Sequence, residues 1–217
     1  MQEKQHDFEA CLIGIERTGK TTLLSLWNNE EYEEVYEKTE DMESKIITQE
    51  INNVSLTVNI WDCPGKFFTD SSGTVDKYLT EKKVHIFVVK RDDEGSVSFL
   101  KGYIDSFLYK KYSVNLKYLI VTKSSGNEDD QENEEEIKSL VDEFHMKRFD
   151  VECDQNAENV RKILVEIMKD YIKEFNVPVT TKIQNENTDK NNDDNKKNEN
   201  DKNENTKKEK QSCCVLL

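Results

Sequence analysis

Long apolar runs are missing from this 217-residue chain, and none approaches the ~18 residues needed to cross a bilayer. The opening MQEKQHDFEA also lacks the pattern of a secretory signal. A secreted or membrane-spanning protein is therefore not expected. Apolar residues make up only 35% of the chain and charged residues another 35%. A fully packed chain holds more apolar matter, so part of the sequence is expected to stay disordered. Glycine (seven) and proline (two) are scarce. Basic charge is in deficit: the net charge is −14, and the excess lies in residues 1–180, with 37 acidic against 23 basic side chains. Such a surface lacks the basic footprint that nucleic acid requires, and anionic lipid should repel it. The five cysteines (11, 63, 153, 213 and 214) form no CxxC or Cys/His spacing that suggests zinc, and without a leader they are expected to be reduced thiols.

Two regimes of sequence are present. From Lys182 to Gln211 the chain is mostly Asn, Lys, Asp and Glu, with one Ile and no aromatic residue. It cannot bury enough apolar surface to offset its ordering entropy, and is read as a flexible tether. The division expected is a folded domain over 1–177, a tether over 178–212 and a terminal motif over 213–217. Within the first, Phe8–Gly14, Lys45–Ile51, Ser55–Trp61, Val84–Val89, Leu116–Thr122 and Arg148–Cys153 read as strands, with a hairpin turn at Asn52-Asn53. Gly19–Asn28, Ser96–Tyr112, Glu134–His145 and Ala157–Phe175 read as helices. This alternation predicts an α/β three-layer sandwich whose six-stranded sheet is mainly parallel with one antiparallel edge strand.

Gly14-Ile15-Glu16-Arg17-Thr18-Gly19-Lys20-Thr21 fits GxxxxGK[ST] between a strand and a helix. That placement lets loop and helix N–H groups wrap phosphates, the Lys20 charge neutralise β/γ oxygens, and the Thr21 hydroxyl ligate Mg²⁺. The expected phosphate contacts are Gly14, Glu16, Arg17, Thr18, Gly19, Lys20, Thr21 and Thr22. Asp62-Cys63-Pro64-Gly65 follows the third strand, where a carboxylate can hold the metal shell and the Gly65 amide can reach a γ-phosphate. The P-loop predicts a nucleoside triphosphate and leaves the base and the reaction open.

With these motifs the chain resembles a Ras-superfamily small GTPase, nearest the Rab type, over about residues 7–176. Lys20 to Thr39 is 19 residues and Thr39 to Asp62 is 23, the Rab spacing of loop lysine, switch I threonine and switch II aspartate. The resemblance implies that Thr39, with Thr21 and Asp62, holds Mg²⁺, that Tyr32 packs against the purine, and that Tyr36 closes over the phosphates. It also places Thr122, Lys123, Ser125, Cys153, Asp154 and Gln155 around a guanine, with GTP or GDP as the bound nucleotide.

Four departures stand beside the matches. The Asn-Lys-x-Asp base motif reads Thr122-Lys123-Ser124-Ser125, and the Ser-Ala-Lys loop reads Cys153-Asp154-Gln155. A lost charge-assisted bond of ~1.5–3 kcal/mol would lower guanine preference roughly ten- to a hundredfold. Lys66 stands at the position of the water-orienting Gln, and Glu16 and Arg17 replace small loop residues. Slow hydrolysis follows, with Arg17 either solvated or lending charge in cis. Acidic residues Glu30, Glu31, Glu33, Glu34 and Glu37 form either a solvated face or a face for a basic partner. Glu128–Glu136 reads as a solvated loop. The final Cys214-Val215-Leu216-Leu217 fits C-a-a-X with a geranylgeranyl preference, and Cys213 offers a second lipid site. Lys207, Lys208 and Lys210 add a weak basic patch.

The reading is a prenyl-anchored GTP/GDP switch on the cytoplasmic face of an intracellular or plasma membrane, with a cytosolic pool. Vesicle traffic is the expected setting; partners would be an exchange factor, a GTPase-activating protein and effectors. A pseudo-GTPase adaptor and a P-loop ATPase or kinase remain the alternatives.

Overall fold

The computed structural model describes residues 6–33, 35–69, 79, 82–105, 115–123, 133–154 and 157–178. All of them fall in one compact unit, Met1–Lys182. The tether beyond Pro178 and the terminal Cys213 and Cys214 lie outside the described residues. So do Ser124, Ser125, Gln155 and most of 70–81.

Six strands form one sheet: β1 (His6–Ile13), β2 (Glu43–Ile51), β3 (Val54–Asp62), β4 (Val84–Lys90), β5 (Leu116–Thr122) and β6 (Lys147–Val151). Their order is β2-β3-β1-β4-β5-β6. All pairings are parallel except β2 with β3, which places the antiparallel strand at the edge, as the sequence predicts. The β2–β3 turn needs positive φ at both central positions, and Asn52 and Asn53 supply it at 53° and 62°.

Five helices flank the sheet among the described residues: α1 (Lys20–Trp27), a single turn α2 (Lys66–Thr69), α3 (Glu94–Tyr103), α4 (Glu134–Phe144) and α5 (Ala157–Glu174). The predicted helix Ser96–Tyr112 begins two residues earlier, because the Asp93 carboxylate accepts from the Ser96 amide and caps it. Its end at Tyr112 lies outside the described residues. Gly14 and Cys153 leave the strands assigned to them and belong to loops.

Alternation along the strands divides the core in two. Phe8, Ala10 and Leu12 of β1 join Ile86, Val88 and Ile120 against α1 and α5. Cys11 and Ile13 join Phe87, Val89 and Leu119 against α3 and α4. On α5 the apolar stripe Val160, Ile163, Leu164, Ile167, Met168 and Tyr171 is buried. The Trp27 indole donates to the Val160 carbonyl at 2.7 Å, and Phe8 stacks on Tyr171 at 4.0 Å, which ties α1, α5 and the sheet together. Because β1 has β3 on one side and β4 on the other, the strand order reverses at its C-terminal end. A crevice opens there in sheets of this type.

Candidate nucleotide site

The loop leaving β1 occupies that crevice, and its glycines are dictated by contact. A Cβ on Gly14 would stand 2.4 Å from the Val88 carbonyl oxygen, inside β4 backbone. Gly19 caps α1 at φ +91°, and a Cβ there would sit 3.2 Å from Thr122 Cγ2. Gly65 packs its backbone on the loop itself: a Cβ would lie 2.2 Å from the Glu16 amide nitrogen. Arg17 takes φ +64°, an uncommon conformation for a long side chain.

Lys20 is buried, and its ammonium donates to the Ile15 carbonyl at 2.8 Å. Burial lowers its pKa, opposed by the Asp62, Cys63 and Glu16 groups around it. Asp62 is fully buried at the end of β3, and burial raises its carboxyl above the ordinary range, opposed by the Thr21 hydrogen bond and the Lys20 charge. Burial therefore works against the charged form of both groups. A polyanion beside Lys20 and a cation beside Asp62 would relieve them. Thr21 Oγ1 donates to Asp62 Oδ2 at 2.5 Å and lies 2.9 Å from Thr39 Oγ1. The remaining carboxylate oxygen, Asp62 Oδ1, is buried without a hydrogen-bond partner. Two hydroxyls and a carboxylate with one unused buried oxygen form a hard-oxygen set that fits Mg²⁺.

Thr18 turns its hydroxyl inward, donating to the Ile15 carbonyl at 3.1 Å. Thr22, Tyr32, Tyr36, Thr39 and Gly65 line a cavity of about 660 Å³ with Glu16, Arg17, Gly19, Lys20 and Thr21. Among the described residues, Tyr32 and Tyr36 are two of the large apolar side chains left exposed.

On the base side, Thr122 and Lys123 have partners within the protein. Thr122 is buried, with its hydroxyl 3.0 Å from the Thr18 carbonyl and 3.2 Å from that of Val89. It braces the phosphate loop. Lys123 pairs with Glu152 at 2.7 Å, an interaction the sequence reading missed. The Cys153 thiol is pushed up to about 12 by burial and by Asp154, so it stays protonated, while Asp154 itself is exposed. Beside these residues, a second cavity of about 670 Å³ is lined by Arg91, Lys123, Glu134, Arg148, Asp150 and Glu152. Arg91 donates to Glu134 at 2.9 Å and to Asp150 at 2.5 Å, and Arg148 reaches both acids as well. The hydrogen bond from Arg148 holds the Glu134 carboxyl down at about 2, against desolvation. The period-two run Arg148, Asp150, Glu152 was the available signal for this network.

Lys66, expected near the reacting water, begins α2 and forms an ion pair with Glu40 at 2.6 Å. Glu16 pairs with Lys38 at 3.1 Å, and the Arg17 guanidinium lies 5.0 Å from the centre of the Tyr36 ring. No described helix is long and apolar enough to cross a membrane.

Comparison with known proteins agrees with this geometry. The Ras family profile matches residues 9–173. The chain is 26% identical over 194 residues to the Ras-related protein Rab-1 of Theileria parva, covering 83% of this chain and 84% of that protein. It is also 26% identical over 157 residues to the human Ras-related protein Rab-15, covering 70% and 72%. A shorter match to Rab-1 of Theileria annulata is 35% identical over 66 residues, 30% of each chain.

Proposed function

Since the chain belongs to the Ras family and is a Rab-like small GTPase, we propose that it works as a lipid-anchored guanine-nucleotide switch with slow intrinsic hydrolysis. One observation carries the nucleotide part: Thr21, Thr39 and Asp62 converge below the P-loop, with Asp62 Oδ1 left free for a cation. Thr21, Thr39 and Asp62 would hold Mg²⁺, which supplies neutralising charge for the β- and γ-phosphates when bound. The N-terminus of α1 and the Lys20 ammonium attract the phosphate chain, and Gly14, Gly19 and Gly65 let backbone approach it. Thr39 couples the metal site to residues 30–43, so the γ-phosphate acts on that segment.

Slow hydrolysis rests on Lys66. An ammonium has no acceptor with which to orient a water molecule, and this one is paired with Glu40. Guanine preference is supported by the family and weakened by the missing base-site carboxylate. Membrane attachment through Cys213 and Cys214 is supported by the terminal C-a-a-X pattern. A role in vesicle traffic, with an exchange factor, a GTPase-activating protein and effectors, follows from the Rab relatives.

The test is to denature the purified protein and identify the released nucleotide by chromatography. Retained GTP is the expected result. GDP at full occupancy would refute slow hydrolysis, and an empty site would favour the pseudo-GTPase reading. A Cys213→Ser, Cys214→Ser variant should leave the membrane fraction; its persistence there would refute the anchor.

A further inference from the structure

We infer that Glu16, Arg17 and Lys66 are positioning residues that hold segment 36–40 against the phosphate loop and α2 by contacts independent of the nucleotide, so that loss of the γ-phosphate opens the segment less than Thr39 alone would allow. The inference rests on the switch reading above and deepens it.

Three of the departures from the family pattern have partners, and the partners lie in order along one short stretch. Tyr36, Lys38 and Glu40 alternate in sequence and meet Arg17 at 5.0 Å, Glu16 at 3.1 Å and Lys66 at 2.6 Å. Between them Thr39 reaches Thr21 at 2.9 Å. The charges are matched residue by residue. Lys38 is the sole base in residues 30–44, and it meets Glu16, the sole acid of the loop from Gly14 to Thr21. Small residues at 16 and 17, or a Gln at 66, could form neither of the ion pairs nor the cation–π contact. Each contact joins protein to protein, and none passes through a phosphate or a metal.

The consequence is a change in what the γ-phosphate controls. Where Thr39 alone answers to the phosphate, the segment opens with the diphosphate. Here three further contacts act with either nucleotide. They are exposed, so each is worth at most a few-fold in the closing equilibrium, and together roughly tenfold. Two of the three are ionic and are screened by salt. Removal should matter most with the diphosphate bound, because with triphosphate the Thr39 contact closes the segment on its own.

Limited trypsin digestion, with mass spectrometry of the cut between Lys38 and Thr39, reads the clamp directly. The full chain is compared with a Glu16→Ala, Glu40→Ala variant, which keeps Lys38, in GDP and in a non-hydrolysable GTP analogue. For the wild type, the two nucleotides should give cleavage rates within about threefold. The variant, which keeps the Arg17–Tyr36 contact, should be cut about fivefold faster with GDP and less than threefold faster with the analogue. Raising salt from about 50 mM to about 1 M should speed the wild-type cut and leave the variant unchanged. Glu16→Asp, Glu40→Asp should restore slow cleavage, and Lys162→Ala, which breaks an ion pair elsewhere, should have no effect. The clamp is overturned if the wild type is cut tenfold or more faster with GDP than with the analogue, or if the variant matches the wild type in GDP. Should the double variant fail to fold, Glu40→Gln alone must give a smaller increase of the same pattern, and its absence also overturns the clamp. A wild type that binds no nucleotide sinks the switch reading, while the difference between wild type and variant without nucleotide still decides the clamp.

Discussion

Adding one methyl group at Gly65 should do far more damage than adding one at Gly102. A Cβ at Gly65 would lie 2.2 Å from the Glu16 amide nitrogen and 2.7 Å from both Glu16 Cγ and the Ile15 carbonyl carbon. Ordinary contact begins near ~3.4 Å, so the loop or α2 must retreat by about 1 Å, and two of the three obstructing atoms are backbone that cannot rotate away. Overpacking of this kind costs ~1–3 kcal/mol. For a domain of this size that is a fall of roughly 2–12 °C in melting temperature. The displaced atoms belong to the phosphate loop, so nucleotide affinity should fall about ten- to a hundredfold as well. At Gly102, inside α3, a Cβ meets nothing within 4 Å. Alanine there should stabilise by ~0.5–1 kcal/mol through reduced backbone entropy of the unfolded chain. Calorimetry and the release rate of a fluorescent guanine nucleotide measure both variants. A Gly65→Ala protein with unchanged melting temperature and unchanged release would refute the close packing of α2 on the loop.

Two further outcomes follow from buried polar groups. His85 is fully buried with Nδ1 unpartnered, and burial lowers its pKa to about 4, so the fold holds it neutral. The unfolded chain takes up a proton near ~6.5 and the folded one does not until about 4, so stability should be full above 6.5 and decline as pH falls through that window, by up to about 3 kcal/mol. His85→Leu should flatten the decline between pH 7.5 and 5 in urea unfolding; an equal decline in both proteins would exclude His85 as its source. Thr122→Val keeps the shape of the side chain but removes the hydroxyl that braces the Thr18 and Val89 carbonyls. It should cost ~1–2 kcal/mol and speed nucleotide release several-fold, and unchanged release would show that the loop needs no brace there.

Much of the fold was legible because its signals are local. Short apolar runs marked the six strands, the Val160–Tyr171 stripe marked α5, and Asn52-Asn53 marked the β2–β3 hairpin. The P-loop was legible for a related reason: Gly14, Gly19, Lys20 and Thr21 are contiguous, and their chemistry depends on that contiguity. Boundaries were less so. Asp93 caps α3 through a side chain that no periodicity reveals, and position 14 takes glycine because the Val88 carbonyl of a distant strand blocks anything larger.

Residue order therefore determined the sheet, the phosphate loop and the Lys20–Thr39–Asp62 spacing, since each depends on neighbours or on fixed intervals along the chain. Tertiary structure decided the partners. Lys66 meets Glu40, Lys123 meets Glu152, Thr122 meets the Thr18 carbonyl of the phosphate loop, and Arg91 reaches Asp150 across 59 residues. A charge states what a side chain can bind. Only the folding of distant segments into one crevice selects, among 31 basic and 45 acidic groups, the one it does bind.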